Sequence, residues 1–297
     1  MSSRSYLYVP GDQYTKLERA LDLGADALIV DLEDGVAAAA KPAARELVAR
    51  WLGELTRGDE TSGRSPEIWV RINPFGSPEP GAIHADLRAA VAPGLTGICL
   101  AKCQSAQEVS QLNELLVDAE RRVGLEPGTV RVSALLESAR GLLAAASIAT
   151  ADRVDRLQIG EADLAADLGL SSGPDESELL PLRLLVVVAS AAKGIGAPIG
   201  PVSTDFRDLE RFRVSTERLK RLGFGARAVI HPAQVLIVNE IFTPTAEEES
   251  AARLIVDHFE SAKARGEGVT IDDDGRMVDE AVVLAARRIL ARVEQVG

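Results

Sequence analysis

The sequence is poor in aromatic residues and contains no long apolar run. Phe, Trp and Tyr together make up 4% of the 297 residues, so Ala, Leu and Val must form most of the core. No stretch approaches the ~18 consecutive apolar residues that a membrane-spanning helix needs. The N-terminal segment lacks an apolar targeting sequence, because Pro10 and Gly11 interrupt its apolar run. These absences predict a cytoplasmic protein that has no membrane partner.

Basic residues and cysteines are also scarce. The chain has 33 Lys and Arg against 45 Asp and Glu, a formal net charge of −12. A general nucleic-acid-binding protein needs a basic surface that displaces counterions from phosphate, so we expect no nucleic-acid partner. Local fields still permit an anionic ligand. The two cysteines, Cys99 and Cys103, have no nearby His, and we expect a reduced pair rather than a zinc site.

Short apolar runs alternate regularly with longer stretches of helical period. The runs predict strands at 5–9, 27–31, 67–71, 97–101, 131–136, 156–160, 197–200 and 226–230. The intervening stretches predict helices at 15–23, 42–55, 82–91, 105–122, 139–149, 181–193 and 206–222. Successive strand starts lie roughly 20 to 40 residues apart, the size of one strand–loop–helix unit.

Eight such units in series predict an α/β fold, a (β/α)8 TIM barrel. A doubly wound open sheet is the alternative, but no G-x-G-x-x-G follows the first strand. Two further helices are predicted over 232–242 and 245–265, then a turn-rich acidic connector and a final helix over 280–294. We therefore predict a barrel domain over 1–243 and a C-terminal helical extension over 244–297. The extension would serve as a lid or a subunit-contact arm.

Acidic residues follow several of the predicted strands. Asp31, Glu33 and Asp34 end the second strand, whereas Glu137 and Asp163 follow the fifth and sixth. In a barrel the carboxyl ends of all strands meet at one mouth, where the active site lies. Two carboxylates that face one space share a proton or hold a cation, and Mg²⁺ takes one or two protein carboxylates. The pattern therefore favours a Mg²⁺ site formed by Glu137 and Asp163.

Each of these acids also has a simpler interpretation. Glu137 could pair with Arg140, and Asp163 could cap a helix. Asp31 could be purely structural. These alternatives stay open at the level of the sequence alone.

Basic and turn residues accompany the acids at the same strand ends. Arg71 could form ion pairs with the acids or bind a substrate carboxylate through its guanidinium. Lys102 could bind a ligand or simply be solvated. The turn at Pro10 and Gly11 could present backbone N–H groups to a phosphate or carboxylate. His231 is better explained as a residue that fixes a loop than as a catalytic group.

Seven segments, in order along nearly the whole chain, resemble the CitE-like family, the relatives of the citrate lyase β subunit within the HpcH/HpaI aldolase superfamily. They are "RSYLYVPGD", "ADALIVDLEDGV", "VRINP", "ALLESARG", "GEADLAADLG", "GFGARAVIHPAQ" and "DGRMVDE". The resemblance implies a TIM barrel, usually a homotrimer. It also implies Mg²⁺, with Mn²⁺ as a substitute, and a thioester of a short hydroxy acid with CoA or a carrier protein.

The resemblance also implies roles for individual residues. Glu137 and Asp163 match the metal ligands, and Glu33 and Asp34 match acids that bind the metal's water molecules. Arg71 matches the substrate arginine.

Further positions match groups that handle substrate and CoA, namely Pro10, Gly11, Lys41 and Lys102. Asp279 stands where longer members carry a catalytic aspartate that the C-terminal segment supplies to a neighbouring subunit.

The chain departs from the family pattern at Gln13-Tyr14, where Arg and Pro are usual, at Gly200, where Asp is common, and at Glu280, which replaces Pro. The resemblance implies a Claisen-type lyase that splits citramalyl-CoA, malyl-CoA or a similar thioester into a keto acid and an acyl-CoA. A malyl-CoA thioesterase, a malate-synthase-like condensing enzyme, a citrate lyase β subunit and a non-catalytic CoA-thioester-binding subunit are the alternatives. The departures leave the exact substrate open.

Overall fold

Eight parallel strands close into a barrel in the computed structural model, which describes residues 3–55, 65–272 and 275–296. The strands are β1 (Ser5–Pro10), β2 (Ala27–Asp31), β3 (Glu67–Ile72), β4 (Gly97–Leu100), β5 (Arg131–Leu136), β6 (Val154–Ile159), β7 (Ile199–Gly200) and β8 (Ala226–Val229). Each strand pairs in parallel with the next, and β8 pairs with β1. The predicted (β/α)8 TIM barrel is confirmed.

Continuous apolar runs form these strands because both faces of the sheet are covered. All residues of β2, including Asp31, are buried. One set of side chains, which includes Tyr6, Ile29, Trp69 and Leu135, packs in a single interior cluster. The opposite set faces the helices outside the barrel. A strand covered on both sides loses the apolar–polar alternation of a half-exposed strand.

Ten helices begin within the barrel part of the described chain. They are α1 (Tyr14–Ala20), α2 (Lys41–Leu55), α3 (Ala82–Ala90), α4 (Ala106–Arg122), α5 (Ala139–Leu143), α6 (Ala145–Ile148), α7 (Glu161–Leu168), α8 (Leu180–Lys193), α9 (Leu209–Leu222) and α10 (Pro232–Phe242). The helix predicted over 139–149 is divided at Ala144, and α7 was not predicted. Across residues 3–55, 65–272 and 275–296, no helix is long and apolar enough to cross a bilayer.

The chain divides into two compact units, Ser3–Asn239 and the residues from Glu240 onward. The second unit contains α11 (Ala246–Ala264), β9 (Thr270–Ile271), β10 (Met277–Val278) and α12 (Glu280–Val296). Phe259, Val278 and Val283 form its small core. The domain boundary that we placed after residue 243 stays a prediction.

A small antiparallel hairpin replaces the turn-rich connector predicted in the second unit. In it Met277 pairs with Ile271 and Val278 pairs with Thr270. Gly275 supplies the left-handed turn conformation with a φ of 78°. Residues 273 and 274 lie outside the described part of the connector.

Replacement of Gly97 by Ala tests the packing of the barrel wall. A Cβ there would lie 2.3 Å from the Trp69 ring and 2.7 Å from the Arg131 carbonyl oxygen. We expect the G97A variant to lose about 1–3 kcal/mol of unfolding free energy, the usual cost of overpacking, in urea titrations. The control is G268A, where an added Cβ meets nothing within 4 Å. Equal stability of the two variants would contradict this packing.

Candidate active site

The carboxyl ends of the strands open into a cavity of about 730 Å³ at the barrel mouth. Its lining includes Pro10, Asp31, Arg71, Glu137 and His231. A second cavity of about 800 Å³ is lined by residues that include Glu33, Asp34, Lys41, Asn73 and Lys102. Most of the predicted site residues of the barrel thus lie on the walls of these two cavities, whereas Gly11 and Asp163 line neither of them.

Asp31 is a structural acid that fixes Arg71 and the loop after β2. Its two oxygens accept from Arg71 Nε at 2.7 Å and from Arg71 Nη2 at 2.6 Å. They also accept from the backbone N–H groups of Glu33 and Gly35. A Cβ on Gly35 would lie 2.2 Å from Asp31 Oδ2, so the loop needs glycine to approach this closely. With both oxygens engaged, Asp31 is a positioning group.

Arg71 is held on three sides. Besides the bidentate pair with Asp31, its Nη1 lies 3.3 Å from Glu33 Oε2. Its Cζ lies 5.0 Å from the centre of the Tyr8 ring. Burial lowers the pKa of Arg71, but the hydrogen bonds and charge of Asp31 raise it above its ordinary value overall. The guanidinium is therefore a fixed cation: Asp31 occupies the edge formed by Nε and Nη2, and Nη1 has only the longer contact with Glu33.

Lys102 joins three of the acids and is not the solvated lysine that the sequence allowed. Its Nζ donates to Glu33 Oε1 at 2.6 Å and to Asp34 Oδ2 at 2.8 Å. Its backbone N–H donates to Glu137 Oε2 at 3.0 Å. Burial lowers the pKa of Lys102, but the two carboxylates raise it above its ordinary value overall. The ammonium group is therefore charged and engaged.

Glu137 and Asp163 are the candidate metal ligands. Glu137 follows β5 with only 6% of its surface exposed. Burial and, to a smaller extent, the charge of Asp163 raise its pKa to about 8 against the lowering effect of Arg71. A Cβ on Gly160 would lie 2.6 Å from Glu137 Oε1, so this glycine makes room for the carboxylate. The charge of Asp163 is therefore felt at Glu137, and the two acids remain the candidate pair for a cation.

The simpler interpretations of these two acids do not describe the structure. Asp163 lies in the first turn of α7, but the N-cap residue is Gly160. In the part of the chain that the structure describes, Glu137 forms no ion pair with Arg140.

The carboxylate oxygens of Glu137 and Asp163 are of the ligand type that Mg²⁺ prefers. Within the described residues, no three His, Cys, Asp or Glu side chains could hold a metal ion together. Mg²⁺ does not need such a cage, because water and substrate oxygens complete its octahedron around one or two carboxylates. Mn²⁺ favours the same oxygen ligands.

The sequence did not predict the buried hydrogen bonds that join Tyr8, Gln158 and Cys99. Gln158 Nε2 donates to the Tyr8 hydroxyl at 3.0 Å, and the Cys99 thiol donates to Gln158 Oε1 at 3.7 Å. Burial raises the pKa of Tyr8 well above its ordinary value and that of Cys99 to about 12. The sequence does carry a signal for these hydrogen bonds, because Gln158 is a polar residue within the apolar run of β6. Cys99 and Cys103 are both free thiols.

The residues predicted to bind substrate, and His231, differ in the contacts that they make. The Gly11 N–H donates to the Asp31 carbonyl oxygen at 2.8 Å, and Pro10 has no N–H, so neither of these two residues presents a free backbone N–H. Lys41 lines the second cavity and donates to Asn73 Oδ1. His231 Nδ1 accepts from the Ala233 N–H at 3.2 Å. That contact agrees with a loop-fixing role for His231.

Asp279 lies in the second compact unit, at the start of α12. Its Oδ1 accepts from the N–H groups of Ala281 and Val282, both at 3.0 Å, and thereby caps the helix. In the described chain its Oδ2 makes no hydrogen bond. The structure therefore shows Asp279 as the cap of α12.

Three of the residues that depart from the family pattern, Gly200, Glu280 and Tyr14, have the following surroundings in the structure. A Cβ on Gly200 would lie 2.9 Å from Leu219 Cδ1, so a side chain there would meet α9. Glu280 lies 3.8 Å from Lys263, and both side chains are exposed. Tyr14 donates through its hydroxyl to Glu54 at 2.8 Å.

Comparisons with known proteins identify the family of this chain. The family model described as HpcH/HpaI aldolase/citrate lyase matches residues 4–232. A citrate lyase subunit beta from Leuconostoc mesenteroides subsp. cremoris is 35% identical over 97% of this chain and 92% of its own length. A (3S)-malyl-CoA thioesterase from Cereibacter sphaeroides is 34% identical over 99% of this chain and 95% of its own.

A crystal structure shows the same fold at similar identity. Protein CitE from Mycobacterium tuberculosis, in complex with magnesium, acetoacetate and coenzyme A, superposes with a TM-score of 0.74 at 31% identity. The match covers 99% of this chain and 98% of that one.

Affinity for Mg²⁺ should depend on pH through Glu137. Its pKa of about 8 in the metal-free protein means that below this pH a proton competes with the cation for the carboxylate. We expect affinity to fall by up to about tenfold per pH unit below 8 and to level off above it, in calorimetric titrations from pH 6 to 9. An affinity independent of pH would contradict Glu137 as a ligand.

The pair of Asp31 with Arg71 should be essential for stability, unlike the neighbouring acid. Asp31 is 3% exposed, whereas the Asp34 side chain is 60% exposed. We expect the D31N variant to lose about 3–5 kcal/mol of unfolding free energy, because a buried cation loses its partner. The matched D34N variant should lose at most about 1 kcal/mol. Similar losses in urea unfolding would show that Asp31 has no special structural role.

Proposed function

The chain belongs to the HpcH/HpaI aldolase/citrate lyase family, and from this we propose that it is a Mg²⁺-dependent carbon–carbon lyase. Its substrate would be a short 3-hydroxy-3-carboxyalkyl-CoA thioester such as citramalyl-CoA or malyl-CoA. The products would be a keto acid and an acyl-CoA. The observation that carries the proposal is the convergence of Glu137 and Arg71 on one cavity, with Asp163 close enough to raise the pKa of Glu137.

Glu137 and Asp163 would hold the Mg²⁺ ion. When bound, the ion would act as a Lewis acid on the oxygen that becomes the carbonyl of the keto acid. Glu33 and Asp34 would orient water around the ion, as second-layer acids do at other metal sites.

Arg71 would stabilise the negative charge that develops during cleavage. The substrate hydroxyl would pass its proton to water, the carbon–carbon bond would break as the hydroxyl-bearing carbon becomes the keto carbonyl, and the electron pair of that bond would form the enolate of the departing acyl thioester. Because Asp31 and Tyr8 fix the guanidinium, Nη1 can meet that enolate oxygen, or the substrate carboxylate, without reorganising. Preorganised charge of this kind is a major source of rate enhancement.

Asp279 would donate a proton to the enolate carbon, or remove one from the acyl-CoA in the reverse condensation. Because Oδ1 caps α12, Oδ2 is the oxygen that would carry the transferred proton. We propose that the C-terminal extension is a lid that brings Asp279 to the site of a neighbouring subunit in a homotrimer and excludes water as it closes. The cytoplasmic location stays a prediction.

The similarity to (3S)-malyl-CoA thioesterase favours thioester hydrolysis as the second candidate. The similarity to citrate lyase subunit beta leaves a carrier-protein thioester as the substrate form. A non-catalytic binding subunit is a weaker candidate, because it would have no use for a fixed Arg71 beside Glu137.

A product assay separates the lyase, the thioesterase and the binding subunit. Citramalyl-CoA, malyl-CoA and related thioesters are incubated with the protein, with and without Mg²⁺, and both keto acid and free CoA are measured. The lyase proposal predicts keto acid without free CoA, and only with Mg²⁺. Free CoA without keto acid would show a thioesterase, and tight binding without turnover would show a binding subunit.

Asp279 can be tested without loss of its structural role. Asn caps a helix as well as Asp does, but it cannot donate a proton as an acid. We therefore expect D279N to keep the melting temperature of the wild type and to lose at least about 100-fold in kcat. The D279A variant should lose the cap as well. Full lyase activity in D279N would remove the lid proposal and leave the metal site intact.

A further inference from the structure

The acids at the barrel mouth outnumber the cations that contact them. Asp31, Glu33, Asp34, Glu137 and Asp163 contribute five negative charges when ionised, and Arg71 and Lys102 contribute two positive ones. Carboxylates this close repel one another strongly at low dielectric. The arrangement therefore depends on where each cation is placed.

Arg71 is committed to Asp31. Its Nε and Nη2 both bind that carboxylate, and its contact with Glu33 is longer, at 3.3 Å. Lys102 supplies the short contacts to the other oxygen of Glu33 and to Asp34, at 2.6 and 2.8 Å. Lys102 thus compensates the two acids that the metal proposal assigns to the water around Mg²⁺.

The backbone of Lys102 reinforces this arrangement. Its φ of 50° lies in the left-handed region, which is unfavourable for a residue with a Cβ. That conformation accompanies a hydrogen bond from its N–H to Glu137, while its side chain reaches Glu33 and Asp34. One residue therefore contacts a proposed metal ligand and both water-orienting acids.

We propose that Lys102 is a tethered counter-ion, which holds Glu33 and Asp34 together in the metal-free protein and competes with Mg²⁺ for their carboxylates. The inference rests on the proposed Mg²⁺ site. Binding of the ion would shift the Lys102 ammonium away from at least one of these oxygens. The released group would then be free to contact an anionic substrate, so the substrate role expected from the sequence would begin only after the metal has bound.

The experiment compares Mg²⁺ binding to the wild type, K102M and K102R by calorimetry. We expect K102M to bind Mg²⁺ on the order of tenfold more tightly, because a competing positive charge near the ion is gone. The K102R variant keeps the charge and should stay close to the wild type. The control is K193M, which removes one charge from an exposed position at the end of α8. It should match the wild type.

Thermal unfolding gives a second readout that does not depend on activity. Without metal, K102M should melt at a lower temperature than the wild type, because Glu33 and Asp34 lose their counter-ion. Saturating Mg²⁺ should raise the melting temperature of K102M more than that of the wild type. If K102M does not fold, K102Q removes the charge and keeps a hydrogen-bond donor.

The outcomes separate this inference from the proposed function. Equal or weaker Mg²⁺ binding in K102M, next to normal binding in the wild type, would overturn the counter-ion role and leave the lyase proposal standing. Absence of Mg²⁺ binding in the wild type would overturn both. An unchanged affinity together with a raised KM for the thioester would show that Lys102 is solely a substrate-binding residue.

Discussion

Repulsion among carboxylates is the constraint on which the barrel mouth depends. The loop after β2 brings Asp31, Glu33 and Asp34 together, and Glu137 and Asp163 add charge from β5 and α7. Arg71 and Lys102 offset part of it by dividing the acids between them. Burial is the main reason that the pKa of Glu137 is about 8, so below that pH a proton neutralises this acid in the metal-free protein. A divalent cation could replace that proton, which is why we propose a metal site here.

The barrel was predictable because its strands carry a strong signal. Apolar runs such as "ALIVD" are buried on both faces and are bounded by turns, so most observed strands begin and end within two residues of the predicted ones. The elements that were missed have weak signals. The helix α7 begins one residue after β6 and buries a single side chain, Leu164, so its sequence shows no apolar face. The strands β9 and β10 have two residues each, which is too short to show an alternation of apolar and polar residues.

The gathering of acids at the barrel mouth was predictable from the sequence, but their pairing with Arg71 and Lys102 was not. Parallel strands deliver their carboxyl ends to one mouth, so the clustering of Glu33, Asp34 and Glu137 follows from topology alone. Which acid each cation forms an ion pair with depends on how far the side chains extend across the loops. The sequence therefore left Arg71 free to bind Asp31 or a substrate, and it did not reveal that the Gly11 N–H is used by the Asp31 carbonyl oxygen.

We propose that Glu137 and Asp163 hold a divalent metal ion at the barrel mouth. Anomalous X-ray diffraction from crystals of the protein soaked in Mn²⁺ would locate that ion, because Mn²⁺ favours the same oxygen ligands as Mg²⁺ and scatters anomalously. We expect an anomalous peak between the carboxylates of Glu137 and Asp163, lost in crystals of an E137Q variant. A peak on other residues, or none at the mouth of a fully soaked crystal, would contradict it.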